Sequence, residues 1–289
     1  MTFTATGSDS KTYTASKPSV TFAAGNYYKS VIKMAAASSL PAGALAGKFA
    51  VNVGGTQVYF SQGNLQATYN GSAWSWAFAA NQWDYIGNAA ANTSINGNGT
   101  VSANGTVDLF GWVGASSTWT GAAQYGISNS KTNNSTDTYG NVADETLKSD
   151  WGNTIGSGWR TLTSDEWTYL FNTRTVNGGT GEGKSYTRGQ SVNGESGVVI
   201  YPDDYTGAEY IGSDWATFEA AGCVFLPAAG YRSGSTVSNA GTWGRYRSSS
   251  PSGINKAYYL NFDSSTLKPA SNTLYRYYGF SVRLVRDVE

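Results

Sequence analysis

The sequence contains four related runs near its end, GCVFLPAAGYR (222–232), GRYRSSSP (244–251), AYYLNF (257–262) and RYYGFSVRLV (276–285). Apolar and polar side chains alternate along the last three, and a period of two is that of a strand with one covered and one displayed face. The pattern predicts that Tyr246, Tyr258, Leu260 and Phe262 lie in the core while their neighbours lie on a displayed face. From residue 222 to the end, eight basic and three acidic residues give +5 in a chain that is neutral overall, which indicates a surface with its own function.

The loops between these strands, 248–256 and 264–275, are rich in Ser, Asn, Gly and Pro. Tyr, Arg, Ser and Asn together are typical of adaptable binding surfaces, because Tyr offers large contact area at low entropic cost. Tyr is also a good strand former, so a purely structural role for the tyrosines remains an alternative.

Upstream, the chain contains VYFSQGNLQ (58–66), FAANQWDYIGN (78–88), VDLFGW (107–112) and GWRTLTSDEWTYLF (158–171). With the C-terminal runs, these resemble proteins of C-type lectin fold related to formylglycine-generating enzymes. More narrowly, they resemble the variable proteins of diversity-generating retroelements from gut bacteria of the Bacteroides type and their phages. The resemblance begins at about Ala44. It implies an α+β fold of mostly antiparallel strands with two helices and long loops, preceded by a short β-rich segment.

The chain divides into three parts by composition. Residues 1–34 alternate and predict two or three strands, which are similar to the closing strands of fimbrillin-like β-sandwich domains or else form an arm on the main domain. Residues 35–46, rich in Ala, Ser and Gly, predict a linker. Residues 47–289 form the predicted main domain, with a variable ligand-binding region at about 232–280. Strands are expected at 48–53, 57–61, 73–78, 198–201 and near 107–112.

Two helices are predicted. Residues 141–151 place Val142, Leu147 and Trp151 at helical spacing. Residues 163–172 begin with Thr-Ser-Asp-Glu, a capping box in which the first and last side chains satisfy free backbone N–H groups. Cys223, the one cysteine, stands in an apolar run and is expected in the core.

The composition excludes several kinds of catalysis. The chain has no histidine, so Ser/His/Asp and Cys/His nucleophiles and histidine metal sites are absent. The related formylglycine-generating enzymes use paired cysteines, which a single Cys223 cannot supply, and no cofactor is expected. Neither an enzyme nor an internal disulfide is therefore predicted.

Three motifs receive structural interpretations. GGTGEGKS (178–185) has the spacing of a phosphate-binding loop but no predicted helix after it, so we expect a hairpin loop. Asp84, between Trp83 and Tyr85, is expected to accept structural hydrogen bonds. Asp203 and Asp204 are expected to be solvated in a turn; the calcium-binding motifs of sugar-binding lectins are absent, and calcium binding remains open.

The sequence thus predicts a receptor or adhesin, diversified by a retroelement to bind varied protein or glycan ligands. The alternative is a structural or adhesive subunit of a surface appendage with a fixed binding face.

A nucleic-acid partner is not expected, because the arginines are spread over separate strands and loops. No apolar run is long enough to span a bilayer. MTFTATGSDS lacks the features of a signal peptide, so if the protein is exported, we expect its leader to be missing from this sequence. The expected location is extracellular, on a bacterial surface or a virion.

The residues expected on the displayed, ligand-binding face are Thr242, Trp243, Arg245, Arg247, Ile254, Asn255, Lys256, Tyr259, Asn261, Asp263, Leu267, Leu274, Tyr275 and Tyr277. Because displayed side chains contribute little to folding, replacing Arg245, Arg247 or Tyr259 by Ala should leave stability nearly unchanged. Phe262→Ala, a core truncation, should cost roughly 3–5 kcal/mol.

Overall fold

A computed structural model describes residues 2–6, 12–16, 35–36, 40–95, 105–114, 124–131, 150–156, 158–253 and 255–289. The chain forms two compact units, Met1–Ala42 and Gly43–Glu289. Ile254, one of the predicted ligand-binding residues, lies outside the described ranges.

The first unit contains a three-stranded antiparallel sheet made of β1 (Thr2–Thr6), β2 (Thr12–Ser16) and β3 (Ala35–Ala36). Thr4 pairs with Thr14, and Thr14 pairs with Ala35 on its other side. Threonine favours strands because its branched Cβ suits the pleated backbone. Two strands fall in residues 1–34, where strands are predicted, and the third falls in the segment predicted as a linker.

The described part of the second unit contains seventeen short strands. In chain order they are β4 (Phe49–Ala50), β5 (Gln57–Phe60), β6 (Leu65–Tyr69), β7 (Trp74–Phe78), β8 (Gly105–Val107), β9 (Trp159–Thr161), β10 (Thr175–Val176), β11 (Gly179–Thr180), β12 (Tyr186–Val192), β13 (Glu195–Ile200), β14 (Val224–Pro227), β15 (Tyr231–Ser233), β16 (Thr236–Ser238), β17 (Gly244–Ser252), β18 (Lys256–Phe262), β19 (Leu267–Ser271) and β20 (Leu284–Asp287). The sheets have the orders β4-β5-β20-β9, β7-β6-β8, β12-β13-β14 and β17-β18-β19, with β10-β11 and β15-β16 as separate hairpins.

Local turn chemistry explains several of these hairpins. Asn193 and Gly194 join β12 to β13 with φ values of 51° and 86°. A two-residue turn with two positive φ angles matches the right-handed twist of the flanking strands, and Asn-Gly adopts it at low cost. Asn177-Gly178 joins β10 to β11 in the same way, with φ values of 49° and 74°.

The helices are α1 (Ala90–Thr93), α2 (Gly152–Ile155), α3 (Ser164–Asn172) and α4 (Trp215–Ala220). The predicted capping box of α3 is confirmed, since Thr163 Oγ1 accepts a hydrogen bond from Glu166 N while Glu166 Oε2 accepts one from Thr163 N at 2.8 Å. Trp167 and Phe171 of this helix are buried against the sheets.

The prediction of an α+β C-type lectin fold is wrong. Strands account for 40% of the structure and helices for 12%, and the strands divide among several small sheets, which is more β-rich than that fold. Residues 141–149 of the first predicted helix lie outside the described ranges. Among the described helices α1, α2 and α4 have only four to six residues, too few for more than one or two internal hydrogen bonds.

The main core lies between α3 and the sheets around it. Val285 of β20 pairs with Phe60 of β5, and the Phe60 ring lies 6.1 Å from Trp167 of α3. Phe262 packs on Gly244 so closely that a Cβ atom there would stand 1.9 Å from its ring, which is why a glycine begins β17. Leu260, Phe262 and Tyr246 are buried in this core as predicted. Tyr258 is only half-buried, so its predicted place in the core is wrong.

The predicted strands are mostly present but shorter. β4, β5 and β7 lie within 48–53, 57–61 and 73–78, while the strand expected near 107–112 ends at Val107 as β8. Cys223 is confirmed as a core residue. GGTGEGKS forms a hairpin strand and turns, and the strand β12 follows it, so the geometry of a phosphate-binding loop is not present.

Candidate ligand-binding surface

The thirteen predicted ligand-binding residues that the structure describes do not share one exposed face. Those exposed are Thr242, Trp243 and Tyr275; those half-buried are Asn255, Lys256, Asn261, Asp263, Leu267 and Leu274; those buried are Arg245, Arg247, Tyr259 and Tyr277. The assignment of the last four to a displayed face is wrong. The interpretation of the +5 charge as a property of the surface is also wrong, because Arg232, Arg276 and Arg283 are buried too.

β17 shows why the alternation misled. Tyr246 points into the core, where its hydroxyl donates to Pro227 O at 2.9 Å, and Arg245 and Arg247 point the other way, as predicted. Other segments then cover that second face: the ring of Tyr231 lies 3.9 Å from the Arg245 guanidinium, and the ring of Phe280 lies 4.1 Å from that of Arg247. A period of two shows that two side chains point in opposite directions, but it does not show whether another segment covers either of them.

Arg247 serves as an internal anchor. Its Nε donates to Phe110 O at 2.9 Å, and its Nη2 donates to the backbone oxygens of Arg276 and Tyr278. The guanidinium lies 4.1 Å from the ring centroid of Phe280. It therefore connects three chain segments that have no continuous ladder of strand hydrogen bonds between them.

Other buried arginines act in the same manner. Arg232 Nη2 donates to Leu109 O at 3.0 Å, Arg276 Nε to Lys256 O at 2.8 Å, and Arg283 Nη2 to Phe225 O at 2.8 Å. A carbonyl accepts strongly from a charged donor in a low-dielectric interior, which offsets part of the cost of burying the charge. The excess of basic residues at the C-terminus thus lies mostly inside the molecule.

An aromatic strip lies at the surface of this region. We give this name to Trp243, Tyr231, Tyr278, Tyr277 and Tyr275, whose rings follow one another with centroid distances of 6.5, 5.8, 4.6 and 5.8 Å. Trp243 and Tyr275, at its ends, keep 37% and 38% of their surface exposed. Tyr231 and Tyr278 are half-buried and Tyr277 is buried, so the strip presents aromatic surface on a well-packed base.

The elements that hold the strip are fixed by backbone hydrogen bonds. Trp243 N donates to Asn239 O at 3.0 Å in the turn before β17. Arg232 and Gly279 exchange two backbone hydrogen bonds of 2.9 and 2.8 Å, which place Tyr231 beside Tyr278. Sequence reasoning missed Tyr231 and Tyr278, although the aromatic density of the run at 275–280 was a usable signal for the second of them.

Arg245 lies under one end of the strip. Its guanidinium carbon is 3.9 Å from the ring centroid of Tyr231, 4.8 Å from that of Trp243 and 5.6 Å from that of Phe280. Its Nε donates to Asn261 Oδ1 at 3.2 Å, whereas Nη1 is buried without a hydrogen-bond partner among the described residues. Burial lowers the pKa of this guanidinium. Aromatic faces attract a cation but satisfy none of its N–H donors.

One phenol of the strip, that of Tyr277, is held in its neutral form. Burial raises the pKa of Tyr277 above its ordinary value, and the neighbouring Tyr278 hydroxyl raises it further. A phenol that stays protonated both donates and accepts hydrogen bonds. The exposed part of the strip is therefore an apolar surface that also carries hydroxyl groups.

Asp263 is already engaged by its own turn. Its Oδ1 accepts hydrogen bonds from Ser265 N and Thr266 N, both at 2.7 Å. Its slight burial tends to raise the pKa, but the hydrogen bonds from Ser265 and Thr266 outweigh this effect and lower it. We assign Asp263 to loop structure.

Other acidic residues are engaged as well. Asp84 accepts from Asn81 N at 2.9 Å, which confirms its predicted structural role, and Glu195 accepts from the Tyr85 hydroxyl at 2.7 Å. These groups line a cleft of about 400 Å³ without forming a free carboxylate pair.

The expectation that Asp203 is solvated is wrong. Its carboxylate forms an ion pair with the buried Arg174 at 2.9 Å and accepts from Gln57 Nε2 at 2.7 Å, whereas Asp204 is exposed. Over the described part of the chain, acidic and cysteine side chains form no group of three or more that could hold a metal ion. Within the same residues, no helix has the length and apolar character needed to cross a membrane.

The cleft that Thr242 and Asp263 share has a volume of about 160 Å³. Small-molecule sites usually enclose roughly 300–1,000 Å³. The aromatic strip beside it is a surface feature, suited to a ligand that lies across it. No family model, curated protein or solved structure matches this chain, so the geometry of the strip and the chemistry of its residues are the basis for a functional proposal.

Proposed function

We propose that this protein is a non-catalytic binding protein whose aromatic strip contacts a protein or glycan ligand, on a bacterial surface or a virion. The observation that supports it most is the run of five neighbouring aromatic rings that ends in two exposed residues, Trp243 and Tyr275. Exposed aromatic side chains on a rigid base are the commonest high-energy contacts of protein interfaces.

The physical properties of the strip suit this role. Tyrosine and tryptophan bury large areas with only two side-chain torsions to immobilise, so little entropy is lost on binding. Their rings also match the apolar C–H faces of sugars, and phenolic hydroxyls exchange hydrogen bonds with a polar ligand. The stacking within the strip fixes the rings before a ligand arrives, which lowers the cost of ordering them.

The proposal includes diversification of this region by a retroelement. The resemblance of the C-terminal runs to variable proteins supports it, and exposed positions such as Thr242 and Tyr275 can change without disturbing the interior. Arg247 and Tyr259 are buried, so we do not expect them to vary, which narrows the variable set.

Sequencing the DNA beside the gene tests diversification. A near-identical copy of the codons for 232–280 that differs only at adenines, next to a reverse transcriptase gene, is the expected result, with differences at positions 242, 243 and 275. The absence of such a copy would favour the alternative, an appendage subunit with a fixed binding face.

Binding is tested on arrays of bacterial and mucosal glycans and on intact bacterial cells. The variant carrying Trp243→Ser and Tyr275→Ser should lose the binding that the unmodified protein shows. The matched control carries Val53→Ser and Ile211→Ser, which remove apolar side chains that are 90% and 82% exposed outside the strip, and it should bind normally. Equal binding by both variants would place the ligand site elsewhere.

A further inference from the structure

Arg245 is a buried cation without an anion. Only 5% of its surface is exposed, and none of the ion pairs among the described residues includes it. Arg174, also buried, has Asp203 at 2.9 Å, and Arg247, which is in no ion pair among the described residues either, donates to the backbone oxygens of Phe110, Arg276 and Tyr278. The Arg245 guanidinium, by contrast, donates to the side chain of Asn261. Buried charges in proteins are normally paired, and an unpaired one carries a desolvation penalty that calls for a functional explanation.

The surroundings of Arg245 leave one of its guanidinium nitrogens without a hydrogen-bond acceptor among the described residues. β18 supplies the amide oxygen of Asn261 to Nε, and the rings of Tyr231, Trp243 and Phe280 surround the guanidinium plane. Nη1 is left with no acceptor. A planar carboxylate is the group that fits a guanidinium best, because two parallel N–H···O bonds can form.

We propose that Arg245, enclosed by Tyr231 and Trp243, binds the carboxylate of an acidic sugar in the ligand that lies on the aromatic strip. This inference rests on the proposed function and specifies the class of ligand. An acidic sugar combines the two features that this end of the strip can recognise: a ring with apolar C–H faces for the aromatic side chains, and a carboxylate for the cation.

Access to Arg245 depends on Trp243. The Trp243 side chain covers the guanidinium but is more than one-third exposed, and its ring is 6.5 Å from the Tyr231 ring, its one ring neighbour among the described residues. Exposed side chains change rotamer within nanoseconds. The proposal requires that rotation of the indole uncover Nη1, which also leaves the ring free to stack on the bound sugar.

The test compares two matched probes, methyl β-D-glucuronide and methyl β-D-glucoside. The glucuronide carries a carboxylate where the glucoside carries a hydroxymethyl group. NMR titration of the full chain follows the Arg245 Nε–H and Trp243 indole N–H signals. We expect the glucuronide to shift both signals and to bind at least about tenfold more tightly than the glucoside, since a buried charge pair is worth that much.

One substitution separates a carboxylate site from a merely structural arginine. Asn261→Asp places a carboxylate beside the Arg245 Nε, at the position where the amide oxygen now lies at 3.2 Å. It should raise the melting temperature by supplying the missing counter-ion and abolish the preference for the glucuronide. Asn272→Asp, which adds the same charge at an exposed position, is the control and should change neither property.

Each other outcome overturns the inference. These outcomes are the absence of an Arg245 shift with the glucuronide, an unchanged preference in Asn261→Asp, or a lower melting temperature in that variant. Binding of the peptide acetyl-Glu-Glu-amide at Arg245 without binding of the glucuronide would replace the sugar by an acidic peptide. The array experiment with the Trp243→Ser and Tyr275→Ser variant tests ligand binding by the strip independently of the carboxylate site. The strip can therefore be confirmed as a binding surface even if the glucuronide does not bind at Arg245.

Discussion

Arg247 joins segments that are distant in the sequence, since its guanidinium donates to the backbone oxygens of Phe110, Arg276 and Tyr278. Only 1% of its surface is exposed. A carbonyl that loses its donor in the interior costs about 1–3 kcal/mol, because water cannot replace the donor there. Arg247 is thus a structural residue of the irregular chain end.

We therefore expect Arg247→Met to lower the free energy of unfolding by about 3 kcal/mol or more, from the loss of donors to several buried carbonyls. Denaturant titration followed by tryptophan fluorescence measures this. Arg286→Met is the control: Arg286 makes a partly exposed ion pair of 3.7 Å with Glu289, so its loss should cost less than about 1 kcal/mol. Equal losses in the two variants would contradict the anchoring role.

At the level of single residues, the sequence predicted apolar positions better than charged ones. Leu260 and Phe262 are in the core, as their alternation indicates. Arg245 and Arg247 are buried because acceptors and aromatic rings from distant segments surround them, and such long-range partners leave no local pattern. Of the residues predicted on the displayed face, Thr242, Trp243 and Tyr275 are exposed, in agreement with the prediction.

Among the elements, α3 is the one most completely specified by local sequence. Its capping box uses residues three positions apart, and Glu166 Oε1 also forms an ion pair with Arg160 at 2.8 Å, which fixes the first turn of the helix against β9. The Asn-Gly turns of β12-β13 and β10-β11 are equally local. Sheet partners such as β5 and β20 are far apart in the chain, so the pattern shows that strands exist without showing how they assemble.

The cap gives a prediction for the helix. Thr163→Ala should destabilise the protein by about 0.5–2 kcal/mol, because the N–H of Glu166 loses its acceptor. Thr168→Ala is the same substitution in the middle of α3, where alanine is the better helix former, and it should be neutral or slightly stabilising. Thermal unfolding of the two variants tests this prediction. A larger loss of stability in Thr168→Ala than in Thr163→Ala would show that the capping box contributes little.

For the molecule as a whole, the single cysteine reports on the integrity of the core. Cys223 is fully buried, and burial raises the pKa of its thiol to about 12, so the reactive thiolate is scarce at neutral pH. The burial of Cys223 could be predicted from the sequence, because a single cysteine within an apolar run usually packs in the core. The sequence could not show that the surrounding sheets depart from the α+β fold that the resemblance implies.

We expect the native protein at pH 8 to react with an aromatic disulfide reagent far more slowly than the same protein in guanidinium chloride, where one thiol per chain should react at once. The release of the coloured thiolate measures the rate. Arg247→Met should react faster than the unmodified protein, since weaker packing opens the core more often. Native labelling as fast as in denaturant would show that Cys223 is accessible.

The buried arginines have a further consequence for where this chain can work. Small proteins with irregular segments often depend on disulfides, which form only in oxidising compartments. Here Arg232, Arg247, Arg276 and Arg283 tie the irregular segments together through hydrogen bonds to backbone carbonyls, and these bonds do not respond to redox potential. The same folded interior is available in a reducing cytoplasm and in an oxidising exterior, so crossing from one to the other requires no change in its chemistry.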